Sequence, residues 1–361
     1  MQTFLKYLEE YNHNIQPVID KFFSDQKKEV IKIAPIAGAM IDDFKDFLEG
    51  GKKLRGCEVL LGYEMFGGKD HKTGLLASLV IEIIHASLLI HDDFMDQDDL
   101  RRGKPTMHKK YSAHISGVDK DTLDMELKDR MNHYGASMAI NIGDEGLFLA
   151  SYLLNNLNLP RDRLSKATQF LSLFLMETGI GQALDISYKK KIFSEEDVLR
   201  VHRYKTAEYT ISGPISLGAI LAGADEKSLK AIKDFGIPIG IAFQLRDDEL
   251  GMFSTEEELG KPVDSDIRES KVTILIVKAF ENAKGEDLKF LKYAFGNQNL
   301  SEKDMERVRK IIRSSSSLDY SKRLSGKYVD DGKKFIPKLT LDPKYQNLLS
   351  ELADFATVRK N

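Results

Sequence analysis

The segment LIHDDFMDQDDLRRGKPT, residues 89–106, holds five aspartates within eight positions and places cationic side chains directly after them. On a helix, Asp92, Asp93 and Asp96 are three or four positions apart, so their carboxylates project from one face and repel one another unless something binds between them. Hard divalent cations take oxygen ligands, and Mg²⁺ is usually held by a few carboxylates together with waters and substrate phosphates. The spacing therefore indicates a metal-bridged phosphate site. The simpler alternative is a solvated helix end, whose carboxylates pair with the arginines that follow.

A second apolar helix ends in a similar way. In IAFQLRDDELGMF, residues 241–253, the paired Asp247 and Asp248 follow Gln244. If the two helix ends face each other across a bundle, metal ions between them could hold a diphosphate, whose remaining oxygens would need cationic partners. The presence of a second acidic helix end favours the interpretation that the two ends together form one clamp around a diphosphate.

Cationic residues stand at several places that suit such partners. They are Lys52, Lys53 and Arg55 after a Gly-Gly pair, Arg101 and Arg102 after the first acidic cluster, Lys205 beside Thr206, and Lys261 and Lys271 after the second cluster. Any one of them alone is most simply a solvated surface side chain. The functional interpretation depends on the whole set and its order along the chain.

The composition favours a helical protein without a general affinity for polyanions. The chain of 361 residues is long enough to bury a substantial core, has only nine prolines, and repeats its apolar residues at helical spacing. With 53 basic and 56 acidic residues, its net charge of −3 gives no general attraction to nucleic acid or anionic membranes. We therefore predict an all-α protein in which any polyanion site is local.

Cysteine content and the N-terminal sequence bear on where the protein works. The single cysteine, Cys57, excludes an internal disulfide framework and fits a reducing compartment. The N-terminal segment carries charges throughout instead of an apolar signal-peptide core. No run approaches the roughly 20 apolar residues that cross a membrane. These features predict a soluble, cytoplasmic protein with no stable membrane insertion.

Apolar residues recur with a period of about 3.6 along most of the chain. We predict helices over residues 3–25, 28–48, 55–66, 72–96, 134–157, 161–186, 195–222, 227–250, 271–283, 286–296, 301–324 and 342–358. Two stretches interrupt the pattern: the polar residues 112–133, interpreted as a surface excursion, and residues 313–343 with a serine run, interpreted partly as a loop. No Pro/Ser-rich linker divides the chain, so we predict one bundle-like domain over residues 1–361.

Taken in order, these elements resemble the trans-isoprenyl (polyprenyl) diphosphate synthase family, in particular its geranylgeranyl diphosphate synthases. The matching motifs are Gly50-Gly51-Lys52-x-x-Arg55, His85, Asp92-Asp93-x-x-Asp96, Arg101-Arg102-Gly103, Gly181-Gln182-x-x-Asp185, Lys205-Thr206 and Phe243-Gln244-x-x-Asp247-Asp248. The resemblance implies a single large helical bundle around a central cavity. It also implies a prenyltransferase that condenses isopentenyl diphosphate with an allylic diphosphate, and a homodimer with residues 134–157 or 72–96 as candidate faces.

The resemblance further implies roles for individual residues. Mg²⁺, three ions per site with Mn²⁺ as a substitute, would be bound by Asp92, Asp93 and Asp96 on one side of the allylic diphosphate and by Asp247 and Asp248 on the other. That diphosphate would be held by Arg101, Lys205, Lys261 and Lys271, and the diphosphate of isopentenyl diphosphate by Lys52, Arg55, His85 and Arg102. Gln182, Asp185, Thr206 and Gln244 would line the cavity near the reacting carbons. The residues expected to act in catalysis are Asp92, Asp93, Lys205, Thr206, Gln244, Asp247 and Asp248.

Ionisation of an allylic diphosphate separates a departing trianion from a carbocation. Metal ions and cationic side chains stabilise the first as preorganised electrostatics, and an apolar cavity with a few oriented dipoles favours the second. The double bond of isopentenyl diphosphate then attacks, and a proton leaves to the released diphosphate. This chemistry requires no nucleophilic side chain, and we find no Ser/His/Asp or Cys/His set in the sequence.

The second aspartate motif departs from the family pattern, because Gly251 stands where many relatives have a third aspartate. We expect altered metal affinity rather than inactivity. The alternative is a weakly active regulatory subunit of a heteromeric synthase. Gly251 favours this alternative, whereas the retained Asp247 and Asp248 argue against it. A terpene cyclase has no need of a second diphosphate site, so the predicted second set of cations favours chain elongation. A third interpretation is a helical scaffold that binds no ligand. It would require that the motifs occur in this order by chance.

Product length in the family often depends on the residue five positions before the first aspartate. Here that residue is Ser87, with Leu88 beside it and Ile84 one turn earlier. A small residue at this floor predicts a product longer than C15, geranylgeranyl diphosphate (C20), with C25 or longer and farnesyl diphosphate as alternatives. The other interpretation is that Ser87 is small to allow helices to pack, with the floor elsewhere.

Overall fold

The computed structural model describes residues 2–113, 125–188, 194–254 and 265–358, and most of them are helical. The helices are α1 (Gln2–Val30), α2 (Pro35–Glu49), α3 (Leu54–Met65), α4 (His71–Met95), α5 (Met107–Ser112), α6 (Met125–Asn155), α7 (Arg161–Tyr188), α8 (Glu195–Val201), α9 (Gly213–Ala222), α10 (Glu226–Phe253), α11 (Ser265–Arg268), α12 (Ile274–Asn282), α13 (Gly285–Ala294), α14 (Glu302–Ser314), α15 (Ser317–Lys333), α16 (Ile336–Leu339) and α17 (Pro343–Val358). A π-helical segment, His202–Ser212, joins α8 to α9, and strands β1 (Leu100–Arg101) and β2 (Lys104–Pro105) pair antiparallel. The all-α prediction is confirmed.

Helix α4 lies within the core of the bundle and carries the first aspartate cluster at its C-terminal end. The side chain of Asp70 caps its first turn by accepting from the backbone N–H of Lys72, and α4 packs against α1, α2, α3, α6 and α9. It is long and apolar enough to cross a membrane, so the expectation that no run approaches that length is wrong. However, 78% of its most apolar stretch is buried inside the protein. Because other helices already cover that surface, α4 is a core helix. The cytoplasmic location stays a prediction.

Two of the predicted helix boundaries near the N-terminus are wrong. Helix α1 continues to Val30, past the predicted end at residue 25. Its buried residues run from Phe4 to Phe23, across Pro17, and Val30 at its end is partly buried against the core. Helix α2 begins at Pro35 instead of residue 28. A proline suits the first turn of a helix, since its fixed φ is already helical and the amide hydrogen that it lacks would have no partner there.

The serine run interrupts the helices only briefly, so the predicted loop within residues 313–343 is wrong for most of its length. The backbone turns at Ser316, which has a left-handed φ of +59°, and α15 starts at the next residue. Ser317, Ser321 and Ser325 recur every four residues and are buried. The hydroxyl of Ser321 donates to Glu249 at 2.8 Å and that of Ser325 to the carbonyl oxygen of Ala242 at 3.3 Å, so these two serines bond α15 to α10.

The polar stretch at residues 112–133 is partly helical. Residue 112 ends α5, and residues 125–133 form the first turns of α6 and are mostly exposed. The surface excursion stays a prediction. Residues 114–124 lie outside the described residues.

The π segment is held close to α7 and α10 by glycines. A Cβ on Gly181 of α7 would lie 2.4 Å from the backbone nitrogen of Lys205, and one on Gly240 of α10 would lie 2.4 Å from Cα of Ala207. Neither position has room for a larger residue. The wider π turn, often found at functional sites, carries Lys205 and Thr206 between these two helices.

Substitution of Gly240 tests this close approach. Gly240→Ala should lower the free energy of unfolding by about 1–3 kcal/mol, because the new methyl group meets backbone atoms of the π segment. The matched control is Gly326→Ala on α15, where the added Cβ would have no atom within 4 Å beyond the nearby backbone of its own helix. That variant should gain about 0.5–1 kcal/mol, since alanine loses less backbone entropy than glycine in a helix. Urea denaturation measures both, and an equal response would contradict the packing described.

Candidate active site

A short hairpin places an arginine against the first aspartate cluster. Left-handed backbone at Arg102 (φ +52°) and Gly103 (φ +74°) forms the tight turn between β1 and β2. The turn brings Arg101 back to α4, where its Nε donates to both carboxylate oxygens of Asp93, at 2.6 and 2.8 Å. Because Asp93 is completely buried, it needs this compensating charge.

The neighbouring aspartate is bound by α7. Gln182 Nε2 donates to Oδ1 of Asp92 at 2.9 Å. One turn further along α7, Asp185 forms an ion pair with Lys205 of the π segment. Residues three apart lie on one face of a helix. The end of α4 and the π segment therefore meet α7 on the same face.

The second aspartate cluster joins the same network. The hydroxyl of Thr206, next to Lys205, donates to Oε1 of Gln244 at 2.8 Å, and Nε2 of Gln244 donates to Oδ1 of Asp248 at 2.7 Å. Both aspartate-bearing helix ends are thus connected through α7 and the π segment.

Asp248 has a partner that sequence analysis did not find. His202 Nε2 lies 3.1 Å from Oδ2 of Asp248, and both side chains are buried. Burial alone would raise the pKa of Asp248, but the adjacent imidazole and the bond from Gln244 lower it below its usual value. The carboxylate is therefore ionised at neutral pH. In the sequence, the one signal for His202 is its position one turn before Lys205.

Lys271 also lies beside a carboxylate that sequence analysis missed. Its Nζ is 3.2 Å from Oδ1 of Asp266, and the negative charge of Asp266, followed by that of Asp248, raises the pKa of Lys271. A Cβ on Gly251 would lie 3.3 Å from Oδ2 of Asp266. A carboxylate thus stands beside the position where many relatives carry a third aspartate. The predicted ligand Lys261 lies outside the described residues.

The four residues predicted to hold a second diphosphate line one cavity of about 120 Å³: Lys52, Arg55, His85 and Arg102. Arg55 donates to the hydroxyl of Thr210 at 2.8 Å and lies 4.7 Å from the centre of the Tyr209 ring. Nδ1 of His85 is 3.2 Å from the Tyr209 hydroxyl. Burial, and then the charge of Arg55, lowers the pKa of His85 well below its usual value, so the imidazole is neutral at pH 7.

Tyr209 and Thr210, which contact the cavity residues Arg55 and His85, were missed by sequence analysis. They lie one turn after Lys205 on the π segment. Arg102 occupies the opposite side, directly over the Gly-Gly pair. A Cβ on Gly50 or Gly51 would lie within 2.7 or 2.9 Å of its guanidinium nitrogens. The glycine pair therefore makes room for this arginine.

The residues predicted to limit product length lie further down α4. Ser87 is completely buried and its hydroxyl donates to the carbonyl oxygen of Ile83 at 3.0 Å. Ile84 is buried as well, and Leu88 is partly exposed. Ser87 packs against another helix, which is the second of the two interpretations considered for it, and its role in product length stays a prediction.

The aspartates are all oxygen donors, as hard divalent cations require. Among the described residues, no three His, Cys, Asp or Glu side chains form a group that could hold a metal ion by themselves. Magnesium sites usually take one or two carboxylates and complete the shell with waters and substrate phosphates. Asp92, Asp93 and Asp96 at one helix end and Asp247 and Asp248 at the other carry the oxygens that an ion of this kind, shared with a bound diphosphate, would need. This set of metal ligands stays a prediction.

Comparison with known proteins agrees with this arrangement. Residues 41–312 match the family model for polyprenyl synthetase. A geranylgeranyl diphosphate synthase of Sulfolobus acidocaldarius is 33% identical over 329 residues, which cover 91% of this chain and 90% of that protein. A geranylfarnesyl diphosphate synthase of Natronomonas pharaonis is 29% identical over 326 residues, covering 86% of each.

Solved structures show the same relationship. The crystal structure of geranylgeranyl pyrophosphate synthase from Corynebacterium glutamicum, complexed with isoprenyl diphosphate and magnesium, has a TM-score of 0.87 and 28% sequence identity, and the match covers 98% of this chain and 99% of that one. The chain belongs to the polyprenyl synthetase family, whose members use a divalent metal ion to join isopentenyl diphosphate to an allylic diphosphate.

Proposed function

We propose that this protein is a trans-prenyltransferase that makes geranylgeranyl diphosphate (C20) with Mg²⁺ as its metal ion. The observation that carries the proposal is the line of contacts that connects both aspartate clusters, next to a separate cationic cavity. A chain-elongating enzyme needs both features, because it binds two diphosphates. The named geranylgeranyl relatives and the magnesium-bound neighbour support the product and the metal.

At the first diphosphate position, the chain supplies charge on both sides. Arg101, Lys205 and Lys271 would donate to the oxygens of the departing diphosphate. In the structure each of them is paired with a carboxylate, so substrate binding exchanges one anionic partner for another. Bound Mg²⁺, held by the aspartates at the two helix ends, would supply further neutralisation of the charge that develops on the leaving group.

The amide of Gln244 is fixed at both ends, since it accepts from Thr206 and donates to Asp248. Its dipole is therefore preorganised, and we propose that the Gln244 and Thr206 oxygens stabilise the allylic cation. At the second position, Arg55 and Arg102 carry the charge that holds isopentenyl diphosphate. The neutral His85 adds polarity without a competing positive charge next to Arg55.

The first experiment is incubation of the purified chain with isopentenyl diphosphate, Mg²⁺ and dimethylallyl, geranyl or farnesyl diphosphate. We expect C20 as the main product from each allylic substrate, detected by mass spectrometry. A C25 main product would place the protein with the geranylfarnesyl synthases. No elongation by the chain alone would favour a regulatory subunit, and a cyclised hydrocarbon a terpene cyclase.

Removing an aspartate from either cluster tests the assigned sites. Asp93→Ala and Asp247→Ala should each lower the turnover number by about a hundredfold or more, because each removes charge that acts on the departing group. The control is Asp99→Ala in the same acidic run, whose side chain is 72% exposed and pairs with Lys109 at 2.9 Å. Near-normal turnover in either of the first two variants, or equal loss in the control, would contradict the assignment.

We propose that the protein is a homodimer that pairs through α6 and α7. Helix α4, the other candidate face, is largely buried within the chain. Several large apolar side chains on α6 and α7 are more than half exposed: Phe148, Tyr152, Leu173, Met176 and Ile180. Exposed apolar surface of this extent marks an interaction site. A second copy of the chain presents the same face, as a two-fold interface requires.

Phe148→Asp should convert the dimer into a monomer, because it places a charge on this apolar face, where Phe148 is 74% exposed. Leu341→Asp is the control, since Leu341 is 85% exposed but lies far along the chain, after α16. Analytical ultracentrifugation gives the masses. A wild-type monomer, or a Phe148→Asp dimer as stable as the wild type, would refute the interface.

A further inference from the structure

Three helices meet beside Ser87, and the side chains at their meeting point differ greatly in size. A Cβ placed on Gly146 of α6 would lie 2.2 Å from Oγ of Ser87 and 2.4 Å from a ring carbon of Phe44, which belongs to α2. Gly146 therefore lies directly against both Ser87 and the Phe44 ring. The ring closes the gap that the two small residues leave between α4 and α6.

The Phe44 ring is held in place from behind. Its side chain is buried and stacks on the ring of Phe23 from α1, with centroids 5.9 Å apart and planes inclined by 30°. Ile41 and Leu48, on the same helix, belong to the same buried cluster. A close-packed interior gives such a ring little freedom to move aside. Ser87 and Gly146 are small residues, but the Phe44 ring beside them is held rigidly by its neighbours.

This meeting point lies on the path expected for a growing prenyl chain. Asp92 marks the diphosphate end of α4, and Ser87 lies five residues earlier, about 7.5 Å along the helix axis. Residues at i−4 and i−8 from Asp92 are Leu88 and Ile84. Asp92, Leu88 and Ile84 form a row along α4. Each step of four residues turns this row by about 40° around the helix, toward the side on which Ser87 lies. A chain that follows this row from the diphosphate end approaches the Ser87–Gly146 contact.

We propose that Phe44 is the floor that sets product length, and that α2 thereby supplies the bulk absent at position 87. This inference rests on the proposed prenyltransferase function and deepens it. It explains how a chain with serine at that position stops at C20. It also predicts that Ser87→Phe alone would be overpacked, because Gly146 and Phe44 already fill the neighbouring space.

The test is the product of Phe44→Ala with farnesyl diphosphate, isopentenyl diphosphate and Mg²⁺, analysed by mass spectrometry. The main product should lengthen by at least one isoprene unit, to C25 or beyond. Phe235→Ala is the matched control, because it removes an equally buried ring from a different cluster on α10 and should leave product length unchanged. The double variant Ser87→Phe/Phe44→Ala should return the main product to C20, since the ring then comes from α4.

The outcomes separate this inference from the function on which it rests. A wild-type chain that elongates no substrate overturns the proposed function. A wild-type chain that makes C20, together with a Phe44→Ala variant that also makes C20, overturns the floor alone. If Phe235→Ala also gives longer products, removal of any buried ring has this effect, and the role of Phe44 as the floor is overturned too. Should Phe44→Ala fail to fold, Phe44→Leu must still raise the ratio of C25 to C20 product, and an unchanged ratio refutes the proposal.

Discussion

Asp92 and Asp248 belong to helices far apart in the sequence, and a line of polar contacts through α7 and the π segment connects their ends. Gln182 and Asp185 contribute two contacts one turn apart on α7, to Asp92 and to Lys205. Thr206 and Gln244 continue the line to Asp248. Each of these contacts is at least partly buried, so a shift of one group leaves its neighbour without the partner that it has in the structure. The spacing of the two clusters therefore depends on this line of contacts.

Charge balance is the second constraint on the site. Three carboxylates of the site have a cationic partner: Asp93 has Arg101, Asp185 has Lys205 and Asp266 has Lys271. The imidazole of His202 lies beside Asp248. Removing one member of a buried ion pair typically costs about 3–5 kcal/mol. A diphosphate with its metal ions brings both charges at once, so it can replace these partners without leaving either sign unbalanced. The structure is thus prepared for a ligand that is anionic and metal-bound together.

Much of this could be predicted from sequence because its signals are local. Helical periodicity and the spacing of Asp92, Asp93 and Asp96 need no knowledge of neighbours, and the ordered motifs agree with the family to which the chain belongs. The partners of these residues were not predictable in the same way. His202 and Asp266 have their roles only because distant helices bring them to the clusters.

The differences in secondary structure have the same origin. The serine run at residues 314–317 resembles a loop by composition, yet α15 continues through Ser321 and Ser325 because α10 offers polar partners to their hydroxyl groups. Phe44 carries no signal of its own in the sequence, since a phenylalanine in an amphipathic helix is ordinary core. Its contact with Gly146 and Ser87 arises only when α2, α4 and α6 pack together. Periodicity identifies elements, but tertiary packing decides which side chains meet.

In the proposed mechanism, both aspartate clusters act on one departing diphosphate. A double-mutant cycle with Asp92→Asn and Asp247→Asn, read out as the single-turnover rate of farnesyl diphosphate with isopentenyl diphosphate and Mg²⁺, tests it directly. Groups that act together on the same charge are non-additive, so the double variant should lose much less than the product of the two single losses. Losses that multiply in full would show that the two clusters act independently and would contradict the account.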